Sequence, residues 1–197
     1  MRPLPLSSFL SALCLTALCL SGSCTGFREG APGLFRSPQP REELLIQRIE
    51  DHGIRTVVSM RGGRHARMSE RAAQQAGAVF HQVPISAKRP VPPDALLQLW
   101  QLAERAERPL MVHCRAGVDR TGLAMAVFVL HDTGDLAEAR AQLDLIPYGH
   151  LRAFGTEEMD RVLELYAQRE DALPFPDWVE RDYRRDYRAR VPEELRR

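Results

Sequence analysis

The chain has 197 residues, which suits one domain or one domain with a leader. Its 27 basic and 26 acidic residues leave a formal charge of +1, so no global field draws it to nucleic acid or to an anionic surface. At 44% hydrophobic it has the means to bury a sizeable core and is not a disordered chain. The basic residues are almost all arginine, with Lys88 the single lysine. Of the four cysteines, Cys14, Cys19 and Cys24 fall in the first 24 residues and Cys114 stands alone beyond them. That placement excludes a disulfide within the body of the chain, a C-x-x-C redox pair and a cysteine-ligated metal site. The six histidines show no metal-ligand spacing, so no metal and no cofactor are expected.

Residues 1–24 read as an export leader: Arg2, then a largely apolar run from Phe9 to Leu20, then small residues Ser21-Gly22-Ser23 before a cleavage point. The run is short for a spanning helix, which takes about 18–20 apolar residues. Ser21-Gly22-Ser23-Cys24 resembles a bacterial lipobox with Cys24 as the lipidated residue, although Leu20 stands one position early. A lipoprotein, a cleaved secreted protein and a retained anchor all stay open. Each puts the remaining chain in an exported place, periplasmic or membrane-anchored. Residues 25–33 read as a linker, 34–170 as the main domain and 171–197 as a C-terminal helical extension.

From Leu34 onward, short strand patterns alternate with helical ones. Strands are expected at Leu34–Arg36, Ile54–Met60, Ala78–Ile85 and Leu110–His113. Helices are expected over Pro40–His52 with Gly53 as a stop, Ser69–Ala76 before Gly77, and Ala95–Ala106 with Leu96, Leu99, Trp100 and Ala103 on one face. Leu123–Leu130 is apolar all round and predicts a buried helix. Further helical patterns lie near Leu136–Leu145, Glu157–Gln168 and Trp178–Arg188, the last read as a solvated helix anchored by Trp178, Tyr183 and Tyr187. The alternation predicts an α/β fold: one domain with a central, mostly parallel sheet and helices on both faces.

The chemistry concentrates in Leu110-Met111-Val112-His113-Cys114-Arg115-Ala116-Gly117-Val118-Asp119-Arg120-Thr121-Gly122, which runs from a buried strand through a compact loop into a buried helix. Such a loop turns backbone N–H groups inward as an anion nest, and the helix N-terminus adds unpaired donors. Cys114 at the strand end would lie in that positive field, which lowers a thiol's pKa and favours the thiolate. Arg120, six positions on, carries a planar fork suited to two phosphoryl oxygens. Gly117 permits a tight turn beside the ligand, and Thr121 can donate its hydroxyl to the sulfur. Arg115, Ala116, Gly117, Val118 and Thr121 are therefore candidate substrate-binding residues.

His113, Cys114, Arg120 and Thr121 match His-Cys-x5-Arg-Thr/Ser, and here the chain resembles the cysteine-dependent protein tyrosine phosphatase superfamily. Phe35-Arg36-Ser37-Pro38-Gln39-Pro40, Val57-Val58-Ser59-Met60-Arg61 and Val83-Pro84-Ile85 resemble the entry, central and pre-acid strands of its compact bacterial dual-specificity-type members. The resemblance implies a phosphatase-like fold and a phosphomonoester hydrolase working through a cysteinyl-phosphate on Cys114. The substrate would be a phosphorylated protein or a small phosphomonoester, not nucleic acid. His113 could orient the loop or simply pack, and is given no catalytic role.

Two aspartates are candidates for the general acid. The resemblance implies an aspartate about 30 residues before the cysteine, yet Pro84-Ile85-Ser86-Ala87-Lys88 holds no carboxylate. Asp119, inside the loop, is taken as the acid, as in a subset of bacterial phosphatases with Asp-Arg-Thr-Gly at this place; the alternative is Asp94, whose ordinary role is a helix N-cap. Arg36, Arg61, Arg64 and Arg67 are candidates for the pocket mouth. Arg115, opposed by Asp119, gives the loop little net charge, which favours phosphoprotein or simple phosphomonoesters over polyanions. Two other functions use a comparable loop: rhodanese-like sulfur transfer, whose loop is shorter, and phosphate binding with little turnover.

Overall fold

In the computed structural model, residues 26–152, 155–169 and 171–196 are described. The leader and its three cysteines lie outside them. Five strands form one sheet in the order β1-β2-β5-β3-β4: β1 (Arg28–Ala31), β2 (Leu34–Ser37), β3 (Thr56–Ser59), β4 (Val79–Gln82) and β5 (Leu110–His113). β2, β5, β3 and β4 run parallel, and β1 pairs antiparallel with β2. The segment expected to be a linker therefore supplies an edge strand. Arg28 and Glu29 face Arg36 and Phe35 across the ladder, where backbone pairing outweighs a glycine-rich composition.

The parallel strands are in register and end together. Ser37 and Ser59 both stand opposite His113, and Gln82 stands opposite Ser59. β3 and β5 are buried at every residue, which explains their near-continuous apolar runs. Helices cover both faces. α1 (Glu42–His52) and α2 (Gly63–Gln75) close one side over Leu45, Ile49, Val57, Ala72, Ala73 and Met111. α2 begins six residues earlier than its apolar pattern indicates, because Ala66 and Ser69 are buried on the same face as Ala72 and Ala73.

On the other face, α3 (Pro93–Arg105) and α4 (Asp119–Thr133) pack together, backed by α5 (Leu136–Ala141), a short turn α6 (Leu145–Tyr148) and α7 (Glu157–Ala167). Every residue of α4 from Thr121 to Leu130 is buried, as a helix enclosed by sheet and helices must be. Gly122 allows the close approach of the α5 end: a Cβ there would stand 2.7 Å from Leu143 Cδ2 and 2.9 Å from the Gln142 carbonyl.

The C-terminal segment forms one continuous helical run: α8 (Phe175–Trp178), a π-helical stretch Val179–Tyr183, and α9 (Arg184–Arg190). Phe175, Trp178, Val179, Tyr183 and Tyr187 are buried in the same core as α3 and α4. The three expected anchors are buried, and through them the helix packs into the main core. Tyr183 donates its hydroxyl to the Val91 carbonyl at 2.9 Å, tying this helix to the segment before α3.

Candidate active site

The site forms where β2, β5 and β3 end, at the carboxyl edge of a parallel sheet. β5 delivers Cys114 to the floor of a loop over residues 114–118, and Asp119 opens α4 immediately after. Cys114 is almost fully enclosed, at 3% exposure. The Gly117 amide donates to Sγ at 3.2 Å. The buried Thr121 hydroxyl lies toward the same sulfur. Burial pushes the Cys114 thiol up, but the Thr121 hydroxyl, the Arg120 charge and the amides of Gly117 and Thr121 outweigh it and hold the thiol below its ordinary value.

The loop is held open from outside. The Arg115 carbonyl accepts from the Gln39 amide at 3.1 Å, and the Gly117 and Val118 carbonyls accept from Arg36 Nη2 at 3.1 and 3.2 Å. A trans peptide sets its N–H opposite its C=O. Drawing these carbonyls outward therefore turns the following amides, of Ala116, Val118 and Asp119, toward the sulfur side. Gly117, at φ +75°, is required here: a Cβ would lie 2.5 Å from the Pro38 nitrogen and 2.6 Å from the Ser37 carbonyl carbon.

Arg36 thus does not line the mouth as its place at a strand end suggested. It is 2% exposed, its other nitrogen donates to the Gln142 carbonyl at 3.1 Å, and it stacks 3.8 Å from the Tyr148 ring. Burial lowers its pKa to about 10, which leaves it a cation at neutral pH. Arg120 is half-buried, with Nη1 at 3.4 Å from the carbonyls of both Met60 and Ile85. The connections after β3 and β4 therefore steer its fork, a role for carbonyls that no sequence pattern signals.

Arg61 accompanies Arg120, with Nη1 donating to Gln39 Oε1 at 3.3 Å. Its pKa is lowered by burial and by the neighbouring charges of Arg120, Arg115 and Arg64, while Cys114 acts the other way. Arg64, Arg67, Arg115 and Ala116 are exposed and Val118 is half-buried; only Arg64 and Arg115 join the cluster that acts on Arg61.

His113 is fully buried, and burial drops its pKa to about 4 although the Cys114 backbone acts the other way. It is a neutral packed ring. Asp94 leaves the site as well: Pro92 takes the N-cap position of α3, and the exposed Asp94 carboxylate pairs with Arg184 at 2.7 Å. The expected opposition of Arg115 and Asp119 is replaced by another pairing. Asp119 Oδ1 meets His150 Nδ1 at 2.8 Å, and His150 Nε2 meets Asp160 Oδ2 at 2.8 Å. Neither His150 nor Asp160 was visible in the sequence, since they lie 31 and 41 residues from Asp119 in unrelated elements. No cluster of metal-binding side chains occurs among the described residues.

The fold is that of known phosphatases. Tk-PTP in its active form superposes with a TM-score of 0.59 at 19% identity, covering 73% of this chain and 99% of that one. Pseudomonas aeruginosa TpbA gives 0.57 at 22% identity, covering 83% and 91%. The core catalytic domain of Saccharomyces cerevisiae SIW14 gives 0.52 at 19%, covering 73% and 91%. No curated protein matches the sequence significantly. A family model described as "Tc-R-P: Polymorphic toxin system, DSP-PTPase phosphatase" matches residues 35–134, just over half the chain and the whole of the loop. The chain belongs to this family, and is a cysteine-dependent phosphatase of the dual-specificity type.

Proposed function

We propose that the protein hydrolyses phosphomonoesters through a cysteinyl-phosphate on Cys114. The observation that carries this reading is the enclosed sulfur held by the Gly117 amide, with its thiol pKa lowered. The thiolate attacks phosphorus and the ester oxygen leaves with a proton from Asp119. Water then attacks phosphorus, Asp119 takes its proton, and the thiolate departs. The Arg120 fork and the inward amides of the loop hold the phosphoryl oxygens. Cys114→Ser should abolish turnover of p-nitrophenyl phosphate while inorganic phosphate still binds, and mass spectrometry of acid-quenched wild type should find one phosphate on the Cys114 peptide. Appreciable turnover by Cys114→Ser overturns the mechanism. Tight phosphate retention with negligible turnover by wild type favours the binding-module reading.

A second observation bears on the substrate. With Asp119 turned to His150, the guanidinium groups of Arg61, Arg64, Arg115 and Arg120 have no carboxylate partner among the described residues. This supports a substrate with negative charge beyond the scissile phosphate. Among the similar structures, a cysteine-to-serine variant of TpbA was crystallised with phosphotyrosine, and SIW14 is a PP-IP phosphatase. A phosphotyrosyl peptide flanked by acidic residues should be hydrolysed with higher kcat/KM than its neutral-flanked analogue, the difference shrinking with salt. Equal values would return the substrate to simple monoesters. Export is proposed on residues 1–24 alone; fractionation of cells with a Cys24→Ser variant alongside wild type distinguishes a lipid tether from secretion.

A further inference from the structure

We infer that His150 is a positioning residue for the acid–base group Asp119: clamped between Asp119 and Asp160, it fixes the Asp119 carboxyl at the loop and keeps the proton that Asp119 gives to the leaving oxygen and regains from water. The inference rests on the proposed acid–base role of Asp119.

Three elements meet to make the clamp. Asp119 is the first residue of α4, His150 follows the Gly149 turn, and Asp160 projects from α7. The His150 side chain is wholly enclosed, whereas Asp119 and Asp160 are partly exposed. Both ring nitrogens sit 2.8 Å from a carboxylate oxygen. Two ionised carboxylates require an N–H on each nitrogen, which is the imidazolium. Burial alone would favour the neutral ring, but the two carboxylates outweigh it and raise the His150 pKa to about 9. The other charged groups around the clamp are Arg152, at 3.6 Å from Asp160 and paired with Glu164, and Arg140 and Asp144, which line the cleft beside His150. That cleft, of about 330 Å³, brings solvent to the His150–Asp160 side. Asp119 Oδ2 makes no hydrogen bond among the described residues, so it is free for substrate.

The proton count closes. In the resting trio one proton joins His150 Nδ1 and Asp119 Oδ1. When it sits on Asp119 the ring is neutral, Nδ1 accepts, and Nε2 still donates to Asp160, with the trio's net charge unchanged. In the first half-reaction the Cys114–phosphorus bond forms and the phosphorus–oxygen ester bond breaks. The protonated Asp119 oxygen turns from Nδ1 to the leaving oxygen and gives up its proton, leaving an Asp119 carboxylate beside a neutral ring. In the second, the water oxygen bonds to phosphorus and the Cys114–phosphorus bond breaks. The water proton passes to Asp119 and settles on Nδ1. Asp160 makes the arrangement work, since it keeps Nε2 protonated and directs Nδ1 to Asp119.

The test compares phenyl phosphate with p-nitrophenyl phosphate, whose good leaving group needs little help from an acid. His150→Gln should lower kcat/KM for phenyl phosphate by about 10–10²-fold, with little change for p-nitrophenyl phosphate. The basic limb of the pH–rate profile should move to lower pH. Asp160→Asn, which leaves Asp119 and His150 in place, should move that limb in the same direction. A folded His150→Gln with the wild-type limb and wild-type leaving-group dependence overturns the inference, as does equal loss on both substrates. If His150→Gln melts early, Asp160→Asn decides alone, and an unmoved limb overturns the inference. Asp119→Asn is run alongside. If it lacks leaving-group dependence, the acid assignment itself falls; if it shows that dependence while His150 and Asp160 variants behave as wild type, only the present inference falls.

Discussion

The Arg36 guanidinium donates to the Gly117 carbonyl at 3.1 Å from beneath the loop, so a buried cation on β2 shapes the anion nest without facing it. The same guanidinium also holds Val118 and Gln142 and stacks on Tyr148. Arg36→Met would strand the buried carbonyls of Gly117 and Gln142, each costing about 1–3 kcal/mol, while the Val118 carbonyl keeps the Gly122 amide. The melting temperature should fall and kcat/KM should drop at least tenfold. Arg36→Lys should recover little, because one ammonium cannot span three carbonyls. Differential scanning calorimetry with steady-state kinetics checks both points.

Thr121 is assigned to the sulfur. Thr121→Val should raise the Cys114 pKa, since burial then meets less opposition, whereas Thr121→Ser should keep it near wild type. The pH dependence of alkylation by iodoacetamide reads this directly: the Val variant should need a higher pH for half-maximal rate.

Gly117→Ala meets two obstacles at once, a left-handed φ of +75° and Ser37–Pro38 backbone within 2.5–2.8 Å of the new Cβ. Neither β2 nor its following proline can yield cheaply, so the loop must shift. Displacing the nest by about 1 Å should cost about 10²-fold in kcat/KM. Wild-type activity in Gly117→Ala would show that the loop tolerates another backbone path.

Two histidines bend the pH–stability curve from opposite sides. His113 titrates at about 4 in the fold against about 6.5 unfolded. The unfolded chain therefore binds more protons between these values, and stability falls as pH drops through that window. His150 titrates at about 9 in the fold. Its contribution is complete below about 6.5 and is lost as pH rises through about 9. Urea melts across pH should show both slopes, with the alkaline one reduced in His150→Gln.

Much of this was written in local patterns. Leu110–His113 reads as a buried strand because all four residues are enclosed, and α4 reads as a buried helix because no charge interrupts Leu123–Leu130. The cysteine-to-arginine step likewise fixes the loop. What stayed hidden depends on distant partners. β1 looked like a linker because Gly26, Gly30 and Gly33 mask a strand whose order comes from pairing with β2. Arg36 looked exposed because nothing local shows that Tyr148 and Gln142 enclose it. His150 and Asp160 carry no motif, and only packing of α7 near α4 brings them to Asp119.

Ile85, whose carbonyl steers Arg120, and Val91, whose carbonyl receives the Tyr183 hydroxyl, belong to the same connection between β4 and α3. The catalytic loop's arginine is therefore moored, through the five residues between Ile85 and Val91, to a helix that begins beyond residue 170. A gene product cut before Phe175 would lose more than a tail. It would release the far end of the strap against which Arg120 rests, and phosphate affinity should weaken even though every residue of the signature loop is intact.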